Sequence, residues 1–266
     1  MRVTCVQMCS GEDVTQNLGV AAELIAKAKA GGCELAVLPE NFSFMSAEER
    51  AKRRAAAHPD KSEAMAFLAE QSKNHGMTII GGTAPLLCDE APGMRNSSVV
   101  FDPGGKEIAC YDKIHLFDVV IPGDTHTESA SVTPGTSPET VDINGWKTGL
   151  SVCYDLRFPE LYRHYSANGC QLLSVVAAFT VPTGKAHWET LLRARAIENQ
   201  CYMLAAAQAG EHPGGRKTWG HSMIIDPWGV VLAECGEGAG LIVAEIDKAR
   251  LQQVRGIIPA LSHRRM

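Results

Sequence analysis

The sequence predicts a layered α/β fold in which two mixed sheets pack face to face with helices outside. Three observations carry this reading. Short apolar runs alternate with amphipathic helical stretches toward both ends of the 266-residue chain. Each half holds a strand pair around a tight turn, Asp102-Pro103-Gly104-Gly105 and Asp226-Pro227-Trp228-Gly229. No linker or short-period repeat separates the halves, so residues 1–266 read as one domain with internal pseudo-symmetry.

RVTCVQM is the first short strand, and NLGVAAELIAKAKAGG a helix ended by Gly31 and Gly32, which lack the Cβ that opposes a left-handed cap. ELAVLPE reads as a second buried strand. The stretch from Ser46 to Gly76 holds one or two helices, and MTIIGGTAP a third strand. MRNSSVVFDPGGKEIACYDK then forms a hairpin. From Leu116 to Pro138 the chain has no periodicity and reads as a long loop, a candidate rim of an active site.

The alternation resumes with WKTGLSVCYD, a strand running into a sharp turn, and RFPELYRHYSANG, a helix. CQLLSVVAAF is a buried strand, HWETLLRARAIENQ a helix and CYMLAAAQ a strand. HSMIIDPWGVVLAECG closes as a second hairpin, and GLIVAEIDKARLQQVRG as a strand feeding a helix.

Composition excludes several function classes. Lys and Arg number 25 against 30 Asp and Glu, a formal charge of -5, without the basic excess that a phosphate backbone demands. Nucleic acid is not an expected partner. No apolar run reaches the roughly 18 residues of a membrane span, and the opening residues lack the pattern of a secretory signal, so the expected location is the cytosol. The nine cysteines form neither CxxC pairs nor a zinc-like Cys/His cluster. Cys5, Cys33, Cys110, Cys170 and Cys201 lie in or beside apolar runs and read as small buried hydrophobes.

Three polar residues share a context: Glu40 follows LAVLP, Lys113 follows IACYD, and Cys153 follows GLSV. Side chains at the carboxyl ends of strands face the ligand crevice in layered α/β folds, so the three are expected to converge. Cys153, where a strand turns into a helix, has the setting of an exposed nucleophile whose next backbone N–H, that of Tyr154, meets an oxyanion. The nearby helix N-terminus is expected to favour its thiolate. Glu40 suits proton transfer to and from a leaving amine, and Lys113 suits stabilisation of negative charge. Taken singly, Cys153 reads first as a buried cysteine and Lys113 as a surface lysine, while Glu40 reads equally as part of a strand-ending turn.

Together, LAVLPENF, YDKIHLFD and SVCYDLRFPELYR resemble the three separated motifs of the carbon–nitrogen hydrolase (nitrilase-like) superfamily, and the resemblance spans nearly the whole chain. It implies a four-layer αββα sandwich, amide hydrolysis without metal or cofactor, and a homodimer or higher homo-oligomer with RFPELYRHYSANG and HWETLLRARAIENQ near its interface. It also implies Glu40 as general base, Lys113 as oxyanion stabiliser and Cys153 as the nucleophile of a thioester intermediate. Glu128, in THTESASVTPG, would be an auxiliary active-site glutamate orienting Lys113 or the substrate.

CYDLRFPELYR and GEHPGGRKTWGHSMIIDPWGVVLAE further resemble branches acting on amides of 2-oxo acids. The implied substrate is deaminated glutathione, cleaved to 2-oxoglutarate and Cys-Gly in metabolite repair. Hydrolysis of 2-oxoglutaramate or 2-oxosuccinamate is the alternative, and a scaffold or sensor that kept the fold is the alternative of another class. Arg157, Arg216 and Lys217 are candidate carboxylate contacts, and Phe179 and Thr180 candidate pocket residues. The two glycines of HPGGRK leave the loop before Arg216 conformational freedom. A papain-type mechanism would need a histidine beside Cys153, with His115 and His221 the residues to check.

Overall fold

The computed structural model describes residues 1–87, 93–121 and 124–265. Strand Arg2–Gln7 sits inside its sheet because both of its faces are apolar. Val3 and Cys5 join the core shared with the second sheet, while Val6 joins a separate cluster beneath the helices. Leu35–Val37 repeats the alternation, Leu35 and Val37 facing inward and Ala36 outward.

Among the described residues, the first sheet runs in the order Gly240–Glu245, Arg2–Gln7, Leu35–Val37, Thr78–Ile80, Met94–Phe101 and Ala84–Leu87, with Glu107–Asp112 also paired to Met94–Phe101. The second runs Val231–Glu234, Met223–Ile225, Tyr202–Ala207, Leu172–Ala177, Trp146–Val152 and Thr140–Ile143. Each sheet contains three parallel strands followed by an antiparallel neighbour from a hairpin. That repetition is the pseudo-symmetry expected from the sequence.

Helices Val14–Ala30 and Glu63–His75 cover the outer face of the first sheet through Leu24, Ile25, Met65 and Leu68. The first starts where Asp13 accepts the Gln16 N–H at 3.0 Å, and the second ends at Gly76, whose φ of 53° needs no Cβ. Pro159–Ala167 and Val181–Asn199 pack Tyr162, Tyr165, Trp188 and Leu192 against the second sheet. Gly149 permits this approach, since a Cβ there would lie 2.5 Å from the Tyr165 ring. The layers are therefore helix, sheet, sheet, helix.

Several elements differ from the sequence reading. MTIIGGTAP divides into Thr78–Ile80 and Ala84–Leu87 because Gly82, at φ 57°, turns the chain. The Leu116–Pro138 segment is not structureless: Asp118–Ile121 pairs with Asp124–Thr127, and Glu128–Ala130 forms a 3₁₀ turn. Its residues 122 and 123 lie outside the described set, as does Cys88. Strand Thr140–Ile143 and the small pair Ala209–Glu211 with Lys217–Trp219 were not expected. Cys110 is exposed, because in Glu107–Asp112 it is Ala109 and Tyr111 that alternate inward.

Candidate active site

Three strand ends deliver the three expected side chains to one place. Leu35–Val37 continues through Leu38 and Pro39 to Glu40, and the next residue, Asn41, takes a φ of 58° and donates its N–H to Thr83 Oγ1 at 2.9 Å. The Glu40 carbonyl accepts from Gln208 Nε2 at 3.0 Å. Lys113 follows Glu107–Asp112, with its N–H on Asn96 O at 3.1 Å and its carbonyl accepting from Gly135 N at 2.8 Å. Cys153 follows Trp146–Val152 directly and takes a φ of 48°, a left-handed backbone that a non-glycine residue adopts only where its surroundings enforce it.

The enforcement comes from Asp155, which is fully buried. Its Oδ2 accepts from Val152 N at 2.9 Å and from the Tyr111 hydroxyl at 2.7 Å. Its Oδ1 accepts the His115 N–H at 3.0 Å and lies 2.7 Å from His115 Nδ1. One carboxylate thus holds the turn carrying Cys153 to the segment carrying Lys113. His115 stacks on Phe158 at 3.6 Å, and His221 pairs with Glu234 at 2.7 Å, so each of the two histidines considered for a papain-type pair is engaged with a carboxylate.

Around Lys113 the side chains form a closed ionic cluster. Its Nζ lies 3.1 Å from Glu40 Oε1 and 3.0 and 2.8 Å from the two oxygens of Glu128. Asn96 Nδ2 bridges the carboxylates, at 2.9 Å from Glu40 and 3.2 Å from Glu128, and the Phe117 N–H adds a 2.7 Å bond to Glu128. Cys153 lines the same cavity as Glu40 and Lys113, and Glu40, Lys113 and the Ala178 backbone all act on its thiol.

Electrostatics fix the resting protonation. Burial alone would lower the Lys113 pKa, but Glu128, Glu40 and Cys153 together raise it above its ordinary value, so the lysine is a cation. Burial likewise opposes ionisation of Glu128, yet Lys113 and the donated hydrogen bonds bring its pKa below the usual 4.5. The Cys153 thiol is pushed up by burial and then by the negative charge of Glu40, which outweigh Lys113 and the Ala178 N–H. The thiolate expected from the helix terminus is therefore not the resting form: the thiol keeps its proton, with Glu40 beside it.

Glu40, Lys113, Glu128 and Cys153 line one cavity of about 560 Å³, and Arg216 lines it too. The other expected contacts stand off its wall. Arg157 lies 3.2 Å from His187 Nδ1, with its guanidinium over the rings of Phe179 and Tyr154 at 5.5 and 5.8 Å. Phe179 is buried against Trp188, and Thr180 stands at the start of the following helix, its hydroxyl 2.8 Å from that of Thr183. Lys217 is exposed and pairs with Glu211 at 3.1 Å. Arg157 and Phe179 are held by the helix Val181–Asn199 through His187 and Trp188, and Lys217 by Glu211 across a strand pair, partners that the local sequence does not announce.

Asn96, Asp155 and Arg95 were not anticipated. Asn96 carried a signal, since asparagine is disfavoured within a strand such as Met94–Phe101 unless its side chain has a task. Asp155 carried a fainter one, an acid two residues beyond Cys153 between apolar neighbours. Among the described residues, no cluster of three or more His, Cys, Asp or Glu is arranged to hold a metal.

The Carbon-nitrogen hydrolase family model matches residues 2–256. The chain belongs to this family. It is 48% identical over 97% of its length to a Synechocystis protein named deaminated glutathione amidase, covering 96% of that relative. The crystal structure of the C. elegans NitFhit protein superimposes with a TM-score of 0.89 at 38% identity, covering 99% of this chain, which spans 65% of that longer one. A glutamate-to-glutamine mutant of the amidase from Nesterenkonia sp. AN1, bearing acrylamide added at its active-site cysteine, superimposes with a TM-score of 0.81 at 27% identity, with coverage of 97% and 98%. These structures share the nitrilase-superfamily sandwich described above.

Proposed function

We propose that this family member is an amidase that cleaves deaminated glutathione to 2-oxoglutarate and Cys-Gly through a thioester on Cys153. The observation that carries the proposal is the meeting of Cys153 Sγ, the Glu40 carboxylate and Lys113 Nζ at one cavity. The naming of the Synechocystis relative and the cysteine adduct of the Nesterenkonia amidase support it.

In the proposed sequence Glu40 takes the Sγ proton as sulfur attacks the amide carbon, and Lys113 Nζ and the Tyr154 N–H meet the oxygen that becomes negative. The C–N bond breaks as Glu40 returns the proton to the departing amine. Water then attacks the thioester, gives a proton to Glu40 and releases the acid, and that proton goes back to sulfur. Glu128 holds the lysine in its charged, forward position. The reading treats the chain as one catalytic domain in a cytosolic homodimer; light scattering and cell fractionation test those two parts. Among the described residues, no helix is long and apolar enough to cross a membrane.

The test is kcat/KM for deaminated glutathione beside 2-oxoglutaramate, with Cys153→Ala as the blank. A tenfold preference corresponds to about 1.4 kcal/mol of transition-state discrimination. Preference for the first supports the proposal, preference for the second moves the substrate to the ω-amides, and turnover by Cys153→Ala removes the mechanism.

A further inference from the structure

Two arginines line the cavity, one from each half of the sandwich. Arg95 lies on strand Met94–Phe101, next to the Asn96 that bridges Glu40 and Glu128. Arg216 follows the Pro213–Gly215 turn. Both are incompletely satisfied. The Nε of each is buried without a hydrogen-bond partner, among very few such side-chain atoms in the described residues. A buried guanidinium N–H without an acceptor is costly, and its occurrence in two cavity-lining arginines points to an acceptor that arrives with a ligand.

The remaining contacts locate each cation. Arg216 Nη2 donates to the Ala178 carbonyl at 3.2 Å, the backbone of Ala178 lowers the Cys153 thiol pKa, and Arg216 and Cys153 line the same cavity. Arg216 thus stands beside the carbon that would become the thioester. Arg95 gives Nη1 to the carbonyls of Thr133 and Pro134, and its Nε is 3.8 Å from Asp112 Oδ2, an ion pair beyond hydrogen-bond range. Near the reacting atoms, Lys113 is already outweighed by Glu40 and Glu128, so it offers no surplus charge to a distant carboxylate. The uncommitted donors for anions are those of Arg95 and Arg216.

We infer that the cavity recognises a dianionic amide with a carboxylate at each end, Arg216 holding the one on the acyl portion and Arg95 the one on the leaving amine. A guanidinium presents five N–H donors in a planar fork, so a carboxylate reaching either residue can be held by paired hydrogen bonds. The assignment rests on the amidase reading for which portion is acyl and which departs. It replaces Arg157 and Lys217, which are engaged elsewhere, and it explains how one site separates a peptide-like amide from a free ω-amide: only the former carries the second carboxylate.

The experiment separates binding from turnover. Calorimetric binding to Cys153→Ala, and kcat/KM on the active enzyme, are measured for 2-oxoglutaramate, deaminated glutathione and deaminated glutathione blocked as its glycinamide, each with and without Arg95→Gln or Arg216→Gln. Arg216→Gln should weaken binding of all three at least tenfold. Arg95→Gln should weaken deaminated glutathione alone, by the same factor that the glycinamide block costs the unsubstituted protein. Binding that changes less than twofold with either arginine, or no binding of any of the three, overturns the inference. Binding that needs both arginines without turnover keeps the inference and sinks the amidase reading; turnover with indifference to both arginines does the reverse. Thermal unfolding confirms that each variant is folded.

Discussion

The Tyr111 hydroxyl donates a 2.7 Å hydrogen bond to Asp155 Oδ2 and so joins the strand that delivers Lys113 to the turn that delivers Cys153. Tyr111 and Asp155 are both buried, and neither lines the cavity. The distance between the two candidate catalytic groups is thus set from beneath the site. Tyr111→Phe, which removes one hydrogen bond to a charged acceptor, should cost about 2 kcal/mol in urea unfolding. Asp155→Asn should cost more and lower kcat at least tenfold with little change in KM, because an amide cannot accept at both ends. An Asp155→Asn enzyme with normal kcat would show that the turn at Cys153 holds itself.

In the proposed mechanism Glu40 both restrains the thiol and receives its proton, and these two roles separate on substitution. Its charge is the second cause, after burial, of the raised Cys153 pKa. Glu40→Gln should therefore lower the thiol pKa while removing turnover. The check is ultraviolet titration of the thiolate, taken as the difference from Cys153→Ala. A pKa that rises or stays put in Glu40→Gln would mean that Lys113 and the Ala178 N–H govern the thiol.

The Lys113–Glu128 pair should appear in the acid limb of stability. Glu128 has a lowered pKa when folded, so the folded protein binds fewer protons there than the unfolded chain. Its contribution is complete above the unfolded value near 4.5 and is lost as pH falls through the folded value. Melting temperatures of wild type and Glu128→Gln should thus differ most near neutrality, and the gap should shrink as the pH falls below 4.5. A gap that stays constant down to about pH 3 would assign the stabilisation to packing.

Gly82 is sensitive for a reason that does not touch the chemistry directly. A Cβ at this left-handed residue would lie 2.0 Å from the Pro39 carbonyl oxygen, in the turn that presents Glu40. Gly82→Ala should displace that turn, costing more than about 1 kcal/mol of stability and at least tenfold in kcat. Gly76→Ala is the control, since Gly76 is also left-handed but has open space around its Cβ position. Equal activity losses in both would show backbone strain alone to be the cause.

The parallel strands were legible because burial on both faces leaves near-continuous apolar runs, and the DPGG and DPWG turns announced their hairpins. The convergence of Glu40, Lys113 and Cys153 was legible because each ends an apolar run. What sequence did not disclose depends on partners distant along the chain. Arg157 meets His187, and Asp155 meets Tyr111; neither pairing leaves a local pattern. The Asp118–Ile121 hairpin escaped because each of its strands has only four residues and pairs with the other as a separate two-stranded sheet.

The antiparallel pairing of Arg2–Gln7 with Gly240–Glu245 has a consequence for biosynthesis. Strand Arg2–Gln7 keeps an open edge until Gly240–Glu245 has been made, because that partner lies some 240 residues downstream. Such non-local pairing delays final assembly, since the loop-closure cost comes before its contacts form. Until then the sheet has one margin uncovered, an open edge of the kind on which non-native pairing occurs.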